Sequence, residues 1–299
     1  MPGTIFVSHK PEYASLRGTL LKLPNGLPSD FNFAAMVQEI KRTDIPWCRH
    51  YSEYQSGGWW TCSLLGPSAD ARDGRVIDNA EPVATDALLK LPITKKFLEQ
   101  LDLRYMMVRL ARLDANGALW EHRDYQDLRP IPRQRIHLPI YTNENAFLVS
   151  GGRRFHMDLA SLWTFRPTNA HGACNLGERN RVHLIIDAYE DMRLTELIAE
   201  AKPSSATPMP ELSAEQLAVK VRDIRAVQRN NHFPAGGDPA VEPLARWERD
   251  VLSLYFTFTV PEGELYFALQ RACADDGDFE RVAYWKTRKE LTLGEGIRE

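Results

Sequence analysis

Two hydrophobic periodicities divide the chain. From residue 31 to 102, and again after 211, apolar positions recur at three- and four-residue spacing, whereas between 104 and 188 they form short runs broken by Gly, Asn, Asp and Pro. The first pattern predicts a helix over Phe31–Arg42, with Phe33, Met36, Val37 and Ile40 on one face, and another over Thr94–Asp102, with Phe97, Leu98 and Leu101 inward. Between them, Trp47 to Gly66 is rich in Gly and aromatics, and residues 68–82 read as a polar loop. The second pattern predicts strands at Tyr105–Leu113, Arg133–Tyr141, Ala146–Val149, Arg154–Met157, Leu162–Phe165 and Arg181–Ala188. Short strands separated by turn residues at such intervals argue for an antiparallel sandwich or barrel. Residues 201–211, with three prolines and two serines, read as a linker. Helices follow at Leu212–Gln228, Leu244–Phe258, Glu262–Ala274 and Phe279–Leu293, with a loop at 229–243. The predicted organisation is a β-rich domain over 1–200, including an N-terminal helical and aromatic segment, then the linker, then a helical C-terminal subdomain over 212–299. No internal repeat, heptad or low-complexity tract interrupts this plan.

The 299 residues are 43% hydrophobic and 26% charged, with a formal net charge of -3, and the charges are interspersed. That profile is of an ordinary globular protein and offers no basic footprint for nucleic acid or an anionic membrane surface. No apolar run approaches the roughly 20 residues of a membrane span, and Met1–Lys10 lacks the charged start and apolar stretch of a signal peptide. Cys48, Cys62, Cys174 and Cys273 are widely spaced with no Cys-x-x-Cys, and are expected to be reduced thiols in a cytoplasmic protein.

Candidate chemistry starts at His122-Arg123-Asp124. In an extended strand, residues i and i+2 share a side, so His122 and Asp124 can grip one metal while Arg123 faces away. With His171 from a later segment they match the two-His-one-carboxylate facial triad, which binds Fe(II) and leaves positions open. A surface turn plus a separate core histidine fits the same letters. The kinase catalytic loop does not: it needs an Asn five positions after the Asp, where Arg129 stands here, and the chain has no Asp-Phe-Gly.

Two strands carry a mixed polar face. Arg181, His183, Ile185 and Asp187 alternate with Val182, Leu184 and Ile186, and Arg135 and His137 alternate with Ile136, Leu138 and Ile140. Either the polar faces meet water over an apolar core, or they line the interior of a barrel. Arg181, ten residues after His171, is placed to hold a carboxylate, because a guanidinium pairs bidentately and stays charged when buried.

Taken together, Arg104-Tyr105, His122-Arg123-Asp124-Tyr125, Arg135-Ile136-His137-Leu138, Phe155-His156-Met157, Leu162-Trp163-Thr164-Phe165, Asn169-Ala170-His171 and Arg181 to Asp187 resemble the Fe(II)/2-oxoglutarate dioxygenases of the aspartyl/asparaginyl β-hydroxylase superfamily. Within it they are most similar to the bacterial free-proline cis-hydroxylases, from about residue 47 through the helical tail. The resemblance implies a mainly β fold, a double-stranded β-helix (jelly roll or cupin) flanked by helices. It implies His122, Asp124 and His171 as iron ligands, and Arg181 as the holder of the distal carboxylate of 2-oxoglutarate. Arg135 and His137 are assigned to the same co-substrate, and Trp59, Trp60, Arg123, His183 and Trp163 to the substrate pocket. The implied activity uses Fe(II), 2-oxoglutarate and O₂ to hydroxylate a free, proline-like amino acid or a small amino-acid-derived metabolite, releasing succinate and CO₂. Related halogenases replace the ligand carboxylate by a small residue, so Asp124 argues for hydroxylation. Arg123, Arg129, Arg133, Arg153 and Arg154 crowd the region and are read either as contacts to a larger anionic substrate or as solvated loop charges. Two alternatives stand beside this expectation: an oxygenase acting on a carrier-bound or peptide residue, or desaturating it, and a metal-binding cupin that senses or isomerises. A small-molecule substrate is the expected partner, with a homodimer left open.

Overall fold

The structure is a computed structural model that describes residues 20–78, 81–126, 128, 131–230 and 244–294. The expectations for Met1–Lys10, for Arg129 and for the loop at 231–243 fall outside the described residues. In chain order the elements are β1 (Leu21–Leu23), α1 (Phe33–Arg42), β2 (Trp59–Gly66), β3 (Val83–Ala84), α2 (Pro92–Leu101), β4 (Tyr105–Leu113) and β5 (Ala118–His122). They continue with β6 (Arg133–Tyr141), β7 (Ala146–Ser150), β8 (Arg153–Phe155), β9 (Leu162–Phe165), β10 (His171–Asn175), β11 (Arg181–Tyr189) and α3 (Met192–Ala199). The C-terminal part holds β12 (Lys202–Pro203), β13 (Thr207–Pro208), α4 (Ala214–Asn230), α5 (Arg246–Ser253), α6 (Glu264–Asp275) and α7 (Phe279–Leu293).

The strands form two antiparallel sheets, β12-β1-β9-β6-β11-β4-β2-β3 and β13-β8-β7-β10-β5. From β4 to β11 the chain crosses between sheets at every step except the β7–β8 hairpin. The core therefore reads β9-β6-β11-β4 against β8-β7-β10-β5, which is the strand order of a double-stranded β-helix. The segment 201–211 supplies β12 and β13, which pair with β1 and β8 at the sheet edges.

The side-chain alternation of β6 and β11 fixes what lies inside. Their register sets Ile136 against Ile186 and Leu138 against Leu184. These four join a core with Met36 and Ile40 of α1, Phe97 and Leu101 of α2, and Leu194 of α3, so the helices cover the outer face of this sheet. Arg135, His137, Arg181, His183 and Asp187 then have one direction left, into the barrel, and all five are buried. The local signals that place the helices are ordinary ones. Asn32 caps α1 by accepting from the Ala35 N–H, Lys41 and Arg42 lie in its last turn, and Pro92 opens α2.

A second apolar cluster joins Trp120, Val149 and Cys174 of the smaller sheet to Leu217, Leu252, Tyr266, Leu269 and Trp285 of the C-terminal helices. All four cysteines are free. Among the described residues no helix is long and apolar enough to cross a membrane. Because Leu184 is wholly buried between barrel and helices, Leu184→Ala should lower unfolding free energy by about 2–5 kcal/mol, measurable as a lower urea midpoint at unchanged m-value.

Candidate metal centre

The barrel interior holds a cavity, partly open to solvent, lined among others by Tyr51, Arg109, His122, Asp124, His171 and Arg181. At one side His122 and His171 are direct cross-strand partners on β5 and β10, which brings their rings to 4.4 Å between centroids. Each ring is fixed by its Nδ1, which lies 2.6 Å from the Trp120 carbonyl oxygen in His122 and 2.9 Å from the Asn169 carbonyl oxygen in His171. A carbonyl accepts, so Nδ1 carries the proton and both Nε2 lone pairs are turned to the cavity. Asp124 follows two residues after His122, its Oδ1 4.0 Å from His122 Nε2 and its Oδ2 3.5 Å from His171 Nε2. The three donor atoms lie within 4.8 Å of one another, and among the described residues this is the one group of three or more that could share a metal ion. Two imidazoles and one carboxylate on a single side match the ligand set of a facial non-haem Fe(II) site.

The electrostatics suit a cation. Burial, and then the neighbouring His171, pull His122 down to about 4, so its imidazole is neutral and free to ligate at neutral pH. Burial alone would push the Asp124 carboxyl up. The Arg135 guanidinium, with His171 and His122, instead holds it well below the ordinary carboxylate range.

Arg135 is the organiser of this side. Its Nη1 contacts Asp124 Oδ2, its Nε donates to Asp187 Oδ1 at 2.7 Å, and its Nη2 donates to the Tyr125 hydroxyl at 2.7 Å and to Asp187 Oδ2 at 3.3 Å. Every nitrogen of that guanidinium already has an acceptor in the protein. These bonds use four of its five N–H groups and orient the ligand carboxylate from behind; Arg135 also lines the cavity, with one Nη1 N–H left on the side where the co-substrate is expected. Asp187, wholly buried, also faces Arg109 of β4, whose Nη2 lies 3.7 Å from Asp187 Oδ2 and whose Nη1 donates to the Tyr51 hydroxyl at 3.1 Å.

Deeper in the cavity, Arg181 is buried with no carboxylate within 4 Å among the described residues. Desolvation pulls it down to about 10, which leaves it cationic at neutral pH. Its nearest polar neighbour is His183, with Nε–Nε2 at 3.0 Å and Nη2–Nδ1 at 2.8 Å, and His183 Nδ1 lies 3.1 Å from His137 Nδ1. Burial, and then Arg181, hold both histidines well below their ordinary value, so both are neutral. A neutral imidazole has a single acceptor nitrogen, so His183 satisfies one of the two Arg181 approaches and leaves the other N–H open. His137 Nε2 is buried and has no partner. A buried cation with open N–H groups beside an orphaned imidazole nitrogen is a cradle for an anion.

The structure thus brings His122, Asp124, His171, Arg135, His137, Arg181 and Trp59 to one cavity, with His183 packed behind Arg181. Three pocket assignments are corrected. Trp60 neighbours Trp59 on β2 and must point the other way, where Nε1 donates to Asp114 and Arg49 and Arg112 lie over its ring. Trp163 packs with Leu20 and Phe155, its Nε1 donating to the Asp158 carbonyl. Arg123 turns away from the cavity to Glu262. The other described arginines of that group do not line the cavity: Arg133 pairs with Asp78 beneath Tyr125 and Tyr189, Arg154 lies over Phe147, and Arg153 is exposed. Sequence reasoning missed Arg109, Tyr51 and Tyr54, all of which line the cavity. An Arg amid the apolar run of β4 was the available signal for the first. Tyr54 stacks on His122 at 5.1 Å, and nothing in its spacing announced that contact.

Residues 32–191 match the family model described as aspartyl/asparaginyl beta-hydroxylase. The match starts upstream of Trp47 and ends before the C-terminal helices. Among solved structures, the chain is similar to an oxidoreductase of the 2OG-Fe(II) oxygenase family from Burkholderia pseudomallei, at 11% identity over 57% of this chain and 84% of that one, with a TM-score of 0.40. It is also similar to a Pseudomonas putida prolyl-4-hydroxylase, at 14% identity over 60% and 96%, TM-score 0.36. A double-stranded β-helix protein from Klebsiella pneumoniae gives 15% identity over 33% and 74%, TM-score 0.23. Scores this low carry no argument about activity.

His171→Ala should weaken Mn(II) binding, measured by calorimetry, by more than the roughly 10–100-fold typical of losing an outer-shell partner. His156→Ala, which removes a half-exposed ring bonded to the Ala146 carbonyl, should leave that affinity unchanged.

Proposed function

The chain belongs to the aspartyl/asparaginyl β-hydroxylase family, and from that premise we propose that it is an Fe(II)- and 2-oxoglutarate-dependent hydroxylase of a small, carboxylate-bearing amino acid, proline-like or derived from an amino acid. The observation that carries the reading is Arg181: a buried guanidinium without a carboxylate partner, opening into the same cavity as His122, Asp124 and His171. A metal-binding sensor or isomerase has no 2-oxoglutarate to hold, whereas a dicarboxylate chelating the metal by one end needs a cation for the other.

In this reading His122, Asp124 and His171 hold the iron. When bound, iron with 2-oxoglutarate and O₂ supplies the oxidation of an unactivated C–H, giving succinate and CO₂ as co-products. The protein's own residues bind, orient and exclude water. Arg181 takes the distal carboxylate, with His137 Nε2 beside it to donate a second hydrogen bond. Arg135 keeps Asp124 ionised and holds its carboxylate in place beside the two imidazoles. Leu119, Leu148, Phe165, Ala173 and Ile185 keep the remaining wall dry.

Charge balance supports an anionic substrate. Three guanidiniums, Arg109, Arg135 and Arg181, face two carboxylates, Asp124 and Asp187. A divalent metal and a dianionic co-substrate cancel each other, so one positive charge remains to be met. Two donors stand open for it: Arg109 Nε and Trp59 Nε1 are both buried without partners. A substrate carboxylate would meet the Arg109 Nε–H; Trp59, four positions along β2 from the residue paired with Arg109, offers a separate donor.

The test is a panel of free amino acids, proline and its ring homologues included, assayed for conversion of 2-oxoglutarate to succinate and for a product heavier by one oxygen. Activity confined to a larger or carrier-bound substrate would sink the free-amino-acid reading, and absence of any substrate-linked succinate would sink the oxygenase. Arg181→Gln should raise the KM for 2-oxoglutarate roughly 10–100-fold, as expected when a charge-assisted hydrogen bond is lost. Arg109→Gln should raise the KM of the amino acid by a similar factor, about 10-fold or more, while leaving 2-oxoglutarate binding near that of the parent.

A further inference from the structure

The strand that carries His122 is an edge strand. In the smaller sheet, β5 pairs with β10 on one side and, among the described residues, has no strand of its sheet on the other. An open edge with unpaired N–H and C=O groups is a weak place to hold a metal ligand, since nothing fixes its register from outside. The first half of that edge is met by the segment before β2: the Ser56 N–H donates to the Ala118 carbonyl and Gln55 bridges to Leu119. The second half, where the ligands are, is met by α6 and α7. The Tyr266 hydroxyl donates to the Glu121 carbonyl at 2.8 Å, and the Gly263 N–H donates to the Glu121 carboxylate at 3.1 Å. The Arg123 N–H donates to the Thr292 carbonyl at 2.8 Å, and the Gln126 side chain donates to the same oxygen at 2.8 Å.

Arg123, between the two ligands, completes the grip. Its Nε donates to Glu262 Oε1 at 3.0 Å, and its Nη2 donates to Oε1 at 2.8 Å and to Oε2 at 2.6 Å. Its Nη1 donates to the Thr168 carbonyl at 2.7 Å, three residues before His171. One guanidinium therefore ties the turn bearing His122 and Asp124 both to the start of α6 and to the segment that delivers the third ligand. The family match ends at residue 191, so the helices that supply these contacts lie beyond it.

We propose that the C-terminal helices are a working part of the metal centre, with Tyr266 and Glu262 as positioning residues that hold the His122–Asp124 turn, through the Glu121 carbonyl and Arg123, facing His171. The inference rests on the reading of His122, Asp124 and His171 as metal ligands. It assigns the helices a task that packing alone does not include.

The experiment uses the full chain carrying Tyr266→Phe, Glu262→Gln or both, with His171→Ala as reference. Mn(II) affinity is read by calorimetry and ligand geometry by the visible absorption of the Co(II)-loaded protein. Each single variant should bind Mn(II) about 10–100-fold more weakly, as for other outer-shell losses, with an altered Co(II) spectrum and an unchanged circular dichroism spectrum before metal is added. Glu262 is part-exposed, so its variant keeps the measurement clear of misfolding. Parent-like Mn(II) affinity and Co(II) spectra in both single variants would overturn the proposal while leaving the metal site intact. Parent protein that binds no Mn(II), or binds it equally well after His171→Ala, would bring down the metal-site reading and this proposal with it.

Discussion

The structure depends on burying charge inside a β-barrel. Arg109, Arg135 and Arg181 are each no more than 6% exposed, and Asp187 is wholly buried. Taking such groups out of water is costly unless each finds a counter-charge or a full set of hydrogen bonds. Most are met within the protein. Arg135 bridges Asp124 and Asp187, and Asp187 in turn faces Arg109. The shortfall is concentrated at Arg181, and an unmet buried cation is stabilised by whatever anion enters. In the proposed reading a dicarboxylate would answer this imbalance, which the fold maintains by covering the apolar face of β6 and β11 with helices and leaving their polar face nowhere else to go.

The same inversion explains what could be read from the chain and what could not. Tyr105–Leu113, Arg133–Tyr141 and Leu162–Phe165 were legible to the residue, because each is a short apolar-rich run between clear turn residues. The polar alternation in Arg135-x-His137 and Arg181-x-His183 left two directions open, and only the covering helices choose the inward one. β5 and β10 escaped prediction for a different reason. Ala118–His122 is buried on both faces, so no period of two survives, and His171–Asn175 contains Gly, Ala and Cys but no β-branched residue. The ligand spacing was visible although the strands that deliver it were not. Trp59 and Trp60 show the opposite failure. Alternation alone forbids two neighbours in one strand from sharing a pocket, so one of them had to be wrong once the segment was seen as β2.

Long-range contacts carry the rest. Tyr51 and Tyr125 both adopt left-handed backbone conformations, with φ of 59° and 66°. That conformation costs about 1–2 kcal/mol for a residue with a side chain, and it persists where surrounding contacts over-determine it. Each phenol is an acceptor for a buried guanidinium: Tyr51 for Arg109, Tyr125 for Arg135. No local sequence signal identifies a tyrosine that turns against its own preference to complete an arginine far along the chain.

Those two phenols also separate the arginines by role. A guanidinium has five N–H groups, and what it does in a site follows from how many the protein already uses. On Arg135 four of the five N–H groups are engaged by Asp124, Asp187 and Tyr125, so its charge acts mainly through the metal ligand it orients, and a single Nη1 N–H is left toward the cavity. On Arg109 the Tyr51 hydroxyl and distant Asp187 leave Nε open, and on Arg181 a lone neutral imidazole stands where a carboxylate would be expected. Residue type and facing direction are the same for all three, each an arginine on an inward-facing position of the larger sheet. The difference lies in the acceptors around them, which is why the ligand-facing cations can be told from the structural one only after the N–H groups are accounted for one by one.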